Sequence, residues 1–378
     1  MRIGVTFNVR LAGSNAGQPD DVSLATPKSG AAGGSLPYEE PSQPRGFSGW
    51  GDAQEEYDSP ATIQALAEVL EGLGHEVDLL GDGEPMLRRL VKGPRPDLVL
   101  NIAEGAGACR SREARVPAVL EMLGIPHTGS DPLTLAATLD KDCAKRLVAS
   151  VGVATPAWVL YRGDWEACEA SLAALPFPVF VKPAYEGSSK GIIAASLIES
   201  FDDLADALPQ MFAVYRQPVL VEEFIDGDEL TVGVLGNEPP AVLGVMRVLP
   251  TTNDGPFIYS LEVKRDWERR VRYECPAQLA PQDFTAVEAA ALASWQALGC
   301  RDVARIDFRL RDGVPYFLEA NPLPGLSPTS GDLVLLARAM GVDYPELISR
   351  ILQAAIDRSD NAKGVNKAAR IEKPVEVA

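Results

Sequence analysis

Short apolar runs alternate with polar punctuation along this chain, and the spacing inside them changes from one end to the other. Residues 3–7 have the length and composition of a buried strand. Residues 10–52 are rich in Gly, Ser, Pro and Ala with no sustained period, which predicts a long insertion without a packed core of its own. Asp58-Ser59 followed by Pro60 punctuates the start of a helix in which Ile63, Leu66, Ala67 and Leu70 recur at helical spacing, and Gly72 and Gly74 end it. Residues 75–80 and 98–102 read as buried strands and 116–123 as a helix, so the first part predicts a parallel sheet covered by helices.

The stretch 133–151 is helical in period around an exposed Asp140-Lys141 step, and residues 156–161, 177–184 and 192–197 read as strands, giving a central α+β part. Strands then crowd together at 219–225, 229–235 and 241–249. A helix over 286–298 follows, and two alternating runs, 304–310 and 314–321, meet at Asp312-Gly313, a hairpin dipeptide. The end beyond Asp357 is charged and Ala/Lys-rich, as a frayed tail is. The expected organisation is a parallel α/β domain over 1–129 carrying the insertion, a central α+β part over 130–221, a mainly antiparallel α+β domain over 222–360 and a flexible tail over 361–378.

Charge narrows the possible partners. With 53 acidic against 35 basic side chains in 378 residues, the formal charge of −18 leaves no broad basic surface, so neither nucleic acid nor a membrane is expected as a partner. No run approaches the roughly 18 apolar residues of a spanning helix, and a cytoplasmic protein is expected. The five cysteines are scattered without a C-x-x-C pair and read as reduced thiols. His75 and His127 are the two histidines, both at loop edges and read as structural. Chemistry is therefore left to carboxylates, lysines and arginines.

The closing hairpin carries the densest set. On its first strand Arg305, Asp307 and Arg309 share one face and Ile306, Phe308 and Leu310 the other; on its return strand Phe317, Glu319 and Asn321 share a face. If the polar faces meet, Asp307, Glu319 and Asn321 bring together two carboxylates and an amide oxygen, a hard-oxygen set suited to magnesium. The same alternation also fits a solvated face with cross-strand ion pairs. Upstream, an apolar strand delivers Lys182-Pro183, and the loop from Glu186 through Gly187, Ser188, Ser189 and Lys190 to Gly191 offers N–H groups, hydroxyls and an ammonium. Such a loop fits phosphate oxygens, or a plain surface turn.

Lys141, and Lys264 inside the strand-like segment 258–267, fit either further phosphate contacts or surface lysines. The strand end at Glu222, Glu223, Phe224 and Ile225 offers backbone groups to an adenine edge, with Glu229 as a carboxylate for ribose hydroxyls. Past the hairpin, Gly325, Ser327 and Ser330 suit a substrate carboxylate, or form a rigid Pro-bounded connection.

Taken in order, Lys141, FPVFVKPAYEGSSKG, VLVEEFIDGDEL, Lys264, ARIDF and FLEANPLPGLSPTS, with LEMLGIPHTGS and LTLAATLDKDCAKRL, resemble the ATP-grasp superfamily, most closely its D-alanine–D-alanine ligase-like family. The resemblance runs from about residue 116 to 352. It implies an ATP-grasp fold and an ATP-dependent carboxylate-amine ligase that forms an amide through an acyl phosphate and releases ADP and phosphate. By the same resemblance Lys141 and Lys182 contact the ATP phosphates and Gly187, Ser188 and Ser189 cover them. Glu222 and the backbone of Glu223, Phe224 and Ile225 take the adenine, and Glu229 the ribose. Asp307, Glu319 and Asn321 hold two magnesium ions, or manganese. Lys264, Ser188, Arg305 and Gly325 serve the transferred phosphate and the oxyanion, and Ser330 takes the carboxylate of the second substrate. Small-molecule carboxylate and amine substrates, amino acids among them, and a homodimer are implied as well.

The chain departs from this family where the first amino acid is recognised. The family's short glycine-rich first loop is replaced by the insertion, and counting back from Gly74 puts the family glutamate on Glu55. Its H-G…G-E-D-G segment is replaced by NIAEGAGACRSREARVP, and Arg265 stands where those ligases carry an aromatic residue. These changes point to an acylated substrate other than D-alanine, with an extra anion met by Arg265, Arg110 or Arg112, while D-alanyl-D-alanine synthesis stays open. The alternatives are an ATP-grasp ligase joining an amino acid to a non-alanine or non-peptide metabolite, and a non-catalytic nucleotide-binding protein on the same scaffold.

Overall fold

A computed structural model of the chain describes residues 1–10, 52, 54–252 and 255–371, so most of the insertion expected over 10–52 lies outside the described residues. The chain opens with β1 (Arg2–Phe7), α1 (Pro60–Gly72), β2 (Glu76–Leu79), α2 (Gly83–Lys92), β3 (Leu98–Ile102) and α3 (Arg115–Met122). The strands form a parallel sheet in the order β2-β1-β3. Ser59 caps α1 by accepting the Thr62 N–H at 3.1 Å, with Pro60 in the first turn, as the punctuation predicts. Helices cover both faces of the sheet, so every residue of β3 is buried, with Leu98, Leu100 and Ile102 on one face and Val99 on the other, where the polar Asn101 accepts from the Thr6 hydroxyl at 2.8 Å. Leu98 and Leu100 pack with Leu66 and Leu70 of α1, while Val99 meets Met86 and Leu90 of α2 and Leu120 of α3.

The middle of the chain supplies α4 (Pro132–Leu139), α5 (Lys141–Ser150), β4 (Trp158–Tyr161), α6 (Glu169–Ala173), β5 (Val179–Pro183), β6 (Leu197–Ile198), α7 (Phe201–Tyr215) and β7 (Val219–Glu223). Its antiparallel sheet runs β4-β7-β5-β6, with Leu204, Leu208 and Met211 of α7 packed on Val179, Val181, Val219 and Val221. The helical stretch expected over 133–151 is two helices, broken where Asp140 ends α4 and caps α5 with φ −81° and ψ 96°. Asp140 and Lys141 are buried, not exposed, because the break turns the Lys141 ammonium inward onto the Glu186 carbonyl. The strand expected over 192–197 shrinks to Leu197–Ile198, preceded by a 3-10 turn at Ala194–Ser196 whose N–H groups bond locally.

The remainder comprises β8 (Asp228–Leu235), β9 (Ala241–Pro250), α8 (Leu261–Arg265), α9 (Trp267–Arg270), β10 (Val271–Glu274), α10 (Pro281–Leu298), β11 (Val303–Arg311), β12 (Val314–Asn321), α11 (Asp332–Ala339) and α12 (Tyr344–Ile371). Five antiparallel strands run β10-β9-β8-β11-β12. Val287, Ala291 and Trp295 of α10 cover one face against Leu230, Val232, Ile306 and Phe308. On the other face Gly233 and Gly244 let α11 and its following turn approach, since a Cβ would lie 2.9 Å from Leu333 and 2.7 Å from Met340. The chain stays helical to Ile371 instead of fraying near Asp357. No helix among the described residues is long and apolar enough to cross a membrane.

Candidate active site

The hairpin of β11 and β12 forms the floor. Asp307 lies opposite Glu319 and Arg305 opposite Asn321, but the register slips between Asp307 and Phe308, so that Phe308 faces Phe317 and Leu318 is the extra residue of a bulge. Phe317 therefore does not share a face with Glu319 and Asn321. It points into the core edge-on to Phe308, with ring centroids 6.0 Å apart, while Leu318 and Glu319 both line a cleft. Asp307 accepts from Thr231 Oγ1 at 2.9 Å, Asn321 Nδ2 at 3.2 Å and Arg305 Nη2 at 2.9 Å. Arg305 also lies 3.2 Å from Asp332 and 3.8 Å from Glu319, whose other oxygen is 3.5 Å from Lys141 Nζ.

Burial pushes the Glu319 carboxyl up, but Lys141, Lys182, Arg305 and Lys264 together outweigh it and hold the group at about 2. For Asp307, burial prevails over the Arg305 charge and the carboxyl is raised. Among the described residues no three acidic, histidine or cysteine side chains gather around a metal-sized space; the oxygen set here is two carboxylates and an amide.

Lysines form the opposite wall. β5 delivers Lys182 and the neighbouring β7 delivers Glu222, whose carboxylate is held at 2.6 Å by Lys182 and at 2.7 Å by Lys145. Sequence reasoning missed Lys145, although it stands four residues after Lys141 on α5, a spacing that puts both on one helix face. Its ammonium also donates to Thr155 at 2.7 Å, and burial, only partly offset by Glu222, pushes it down to about 8. Burial raises Glu222 less than the two ammonium groups lower it, so it stays below the usual carboxylate range.

With its carboxylate so engaged, Glu222 sits on a strand paired on both sides, the Glu223 and Phe224 N–H groups donating to the Ala157 and Pro178 carbonyls at 2.9 and 3.0 Å, next to an apolar slot of Phe180, Ile192, Phe224 and Ile258. Two other carboxylates here are also paired: Glu223 with Arg311 at 2.7 Å and Glu229 with Arg309 at 2.6 Å.

The 186–191 loop closes over one end. Ser188 and Ser189 take φ of +48° and +56°, a left-handed conformation that is uncommon for residues with a Cβ. Gly191 has φ +75° and sits where a Cβ would be 2.6 Å from Pro183. A short acidic strap returning from the insertion braces the loop: Glu56 accepts the Gly187 N–H at 2.6 Å, and Asp52 takes the Gly191 N–H at 3.3 Å and the Tyr215 hydroxyl at 3.0 Å. Ser189 donates to the Tyr259 carbonyl at 3.1 Å, joining the loop to the segment before α8. Lys264 is on that helix, not on a strand, because Ser260 caps it; its ammonium lies 4.9 Å from the Tyr259 ring centre.

One cleft thus contains Lys182, Ser189, Glu222 to Ile225, Glu229, Lys264, Arg305, Asp307 and Glu319 in its lining. Lys141 and Asn321 adjoin it through Glu319 and Asp307. Glu55 is bound by Arg265 at 2.5 Å and Arg10 at 3.1 Å, outside that lining. Gly325 and Ser330 are also outside it, the exposed Ser330 hydroxyl bonding Ser327 at 2.9 Å. Arg112 is 1% exposed, holding Glu56 and the Tyr185 carbonyl, both at 2.5 Å, and lying 3.5 Å from Glu186. It braces the strap and is closed to a ligand, which removes it from the candidates for a substrate anion.

Cations and an oxygen cluster facing each other beside an apolar slot, between two antiparallel sheets, define an ATP-grasp nucleotide cleft. Residues 147–353 match the family model described as D-ala D-ala ligase C-terminus. The D-alanine–D-alanine ligase of Synechococcus sp. (strain JA-3-3Ab) is 33% identical over 82% of this chain and 92% of its own length. An uncharacterized protein of Sinorhizobium fredii is 34% identical over 84% of this chain and 91% of its own. The crystal structure of D-alanine–D-alanine ligase from Bacillus anthracis complexed with ATP superposes with a TM-score of 0.66 at 20% identity, covering 96% of this chain and 99% of that one. The chain belongs to the D-alanine–D-alanine ligase family and is an ATP-dependent ligase forming carbon–nitrogen bonds between small molecules.

Proposed function

We propose that the enzyme activates the carboxylate of an amino acid with ATP and joins it to an amine, releasing ADP and phosphate. The reading is carried by the single cleft in which Lys182 and Lys264 oppose Asp307 and Glu319. Phosphoryl transfer demands positioning and charge neutralisation more than a protein nucleophile, which suits a site built of lysines, an arginine and carboxylates. In this reading the Glu223–Ile225 backbone takes the adenine edge, Glu222 acting through the ammonium pair it holds, and Glu229 takes the ribose. Lys141, Lys182 and the Gly187–Ser189 loop hold the phosphates.

The donor set of Asp307, Glu319 and Asn321 fits magnesium, since both carboxylates are adjacent and Glu319 is kept ionised. Bound there, magnesium neutralises phosphate charge. Lys264 meets the transferred phosphoryl group, and Arg305 with the Gly325 N–H meets the oxyanion as the amine adds and phosphate leaves. Ser188 closes the site, and Ser330 takes a carboxylate of the second substrate after the 327–330 turn moves toward the cleft. A homodimer in the cytoplasm completes the proposal by family analogy.

D-alanine is the first substrate to test, because relatives with that name cover most of the chain. The Glu55–Arg265 pair favours a second reading, in which the acylated partner carries an extra anion for Arg265 and its ammonium for Glu55. Coupled ADP release decides between them: turnover with D-alanine alone supports the first, and turnover only with an acidic amino acid plus an amine supports the second. ADP release that no carboxylate–amine pair stimulates rejects both.

A further inference from the structure

Arg305 faces three carboxylates. Its Nε and Nη2 contact Asp307 at 2.9–3.1 Å, Nη2 lies 3.8 Å from Glu319, and Nη1 lies 3.2 Å from Asp332 in the first turn of α11. The first two are the carboxylates that the proposed function gives to magnesium. Asp332 belongs to a different element, lines the same cleft, and is fixed through its other oxygen: the Tyr259 hydroxyl donates to Oδ1 at 3.1 Å and shares a 2.6 Å hydrogen bond with Tyr273.

We propose that Asp332 is a positioning residue that holds Arg305 off the metal ligands and aimed into the cleft. A cation arriving at Asp307 and Glu319 competes with Arg305 for the same oxygens and repels it. A guanidinium stripped of partners in a buried site is strongly unfavourable, so without a further carboxylate Arg305 resists the exchange. Asp332 is outside the oxygen set and keeps its charge-assisted bond to Arg305 while the other two are taken. Through Tyr259, whose ring lies 4.9 Å from the Lys264 ammonium, the same carboxylate also fixes the segment that bears the second cation. The inference rests on the function proposed above.

The test compares the full-length wild type with Asp332→Asn and Asp332→Glu, titrating Mn2+ by electron paramagnetic resonance with a non-hydrolysable ATP analogue, with melting curves alongside. Loss of one charge-assisted bond is expected to weaken Mn2+ uptake about tenfold in Asp332→Asn, and Asp332→Glu recovers most of it. In turnover Asp332→Asn lowers kcat with little change in KM for the carboxylate. A residue serving the fold alone would lower the melting temperature and leave Mn2+ affinity of the folded protein unmoved. If Asp332→Asn does not fold, Tyr259→Phe, which removes one bond to the same carboxylate, is expected to weaken Mn2+ uptake two- to threefold, about half a hydrogen bond's worth. Wild-type Mn2+ affinity and kcat in the folded variant overturn the inference. A wild type that takes up neither Mn2+ nor nucleotide overturns the function itself, so the two failures are distinct.

Discussion

Replacing Arg112 with Met isolates what the buried acidic cluster beneath the 186–191 loop requires. The guanidinium is almost wholly enclosed and serves Glu56 and Glu186 directly, while Glu104 and Glu113 also feel its charge. Lys190 stays behind, 2.8 Å from Glu186 and 3.8 Å from Glu56, which is too little to neutralise four carboxyl groups. Removing one partner of a buried ion pair costs about 3–5 kcal/mol. At about 2 °C per kcal/mol for a large chain, the melting temperature is expected to fall by roughly 6–10 °C.

The pH dependence of that loss identifies its origin. Burial, opposed by Arg112, pushes the Glu113 carboxyl up to about 7 from its ordinary 4.5. A carboxyl raised in the folded state binds its proton more tightly when native, so stability falls as pH climbs from the unfolded value through the folded one. Without Arg112 the folded value moves higher and that window extends upward. Differential scanning fluorimetry should therefore show a small deficit at about pH 5.5 and the full deficit at about pH 8. An equal deficit at both pH values, or none, would refute the electrostatic account of the cluster.

Three further outcomes follow from the cleft. Lys182→Met should weaken ATP binding by about tenfold in calorimetry, by loss of one charge-assisted contact, while Lys145 keeps Glu222 paired and the melting temperature nearly constant. Gly191→Val forces a Cβ against Pro183 in a left-handed conformation and should cost about 2–3 kcal/mol, seen as earlier melting and weaker ATP binding. Asp307→Asn combined with Glu319→Gln should cut kcat by about a hundredfold or more and raise the magnesium needed for half-maximal ADP release; chelation of the wild type should stop turnover until magnesium is restored.

Much of this arrangement was legible in the sequence where a short-range rule governs it. The Ser59-Pro60 helix start, the Asp312-Gly313 hairpin and the strand delivering Lys182 all follow from local punctuation and period. Lys264 was misplaced on a strand because a five-residue helix is too short to express a period, leaving Ser260 as the only sign of it. Asp140 and Lys141 look exposed in a one-dimensional pattern since polar residues usually are, yet a helix break turns them inward. Lys145 and Asp332 escaped notice, and Arg112 reads as a candidate for a substrate anion, for a different reason. Each acts on partners distant in the chain, Glu56, Glu222 and Arg305 respectively, and tertiary packing alone creates those pairs. Glu55 was located by counting, but its engagement by Arg10 and Arg265 depends on how both ends of the insertion meet α8.

The extra residue at Leu318 has a genetic corollary. Upstream of it Phe317 fills the core, and downstream Glu319 and Asn321 reach the cleft; deleting the Leu318 codon would close the bulge and leave all three on their present sides, whereas deleting the Ala320 codon would put Glu319 and Asn321 on opposite faces. This hairpin should accordingly tolerate loss of one amino acid at the bulge far better than at Ala320, two positions further on.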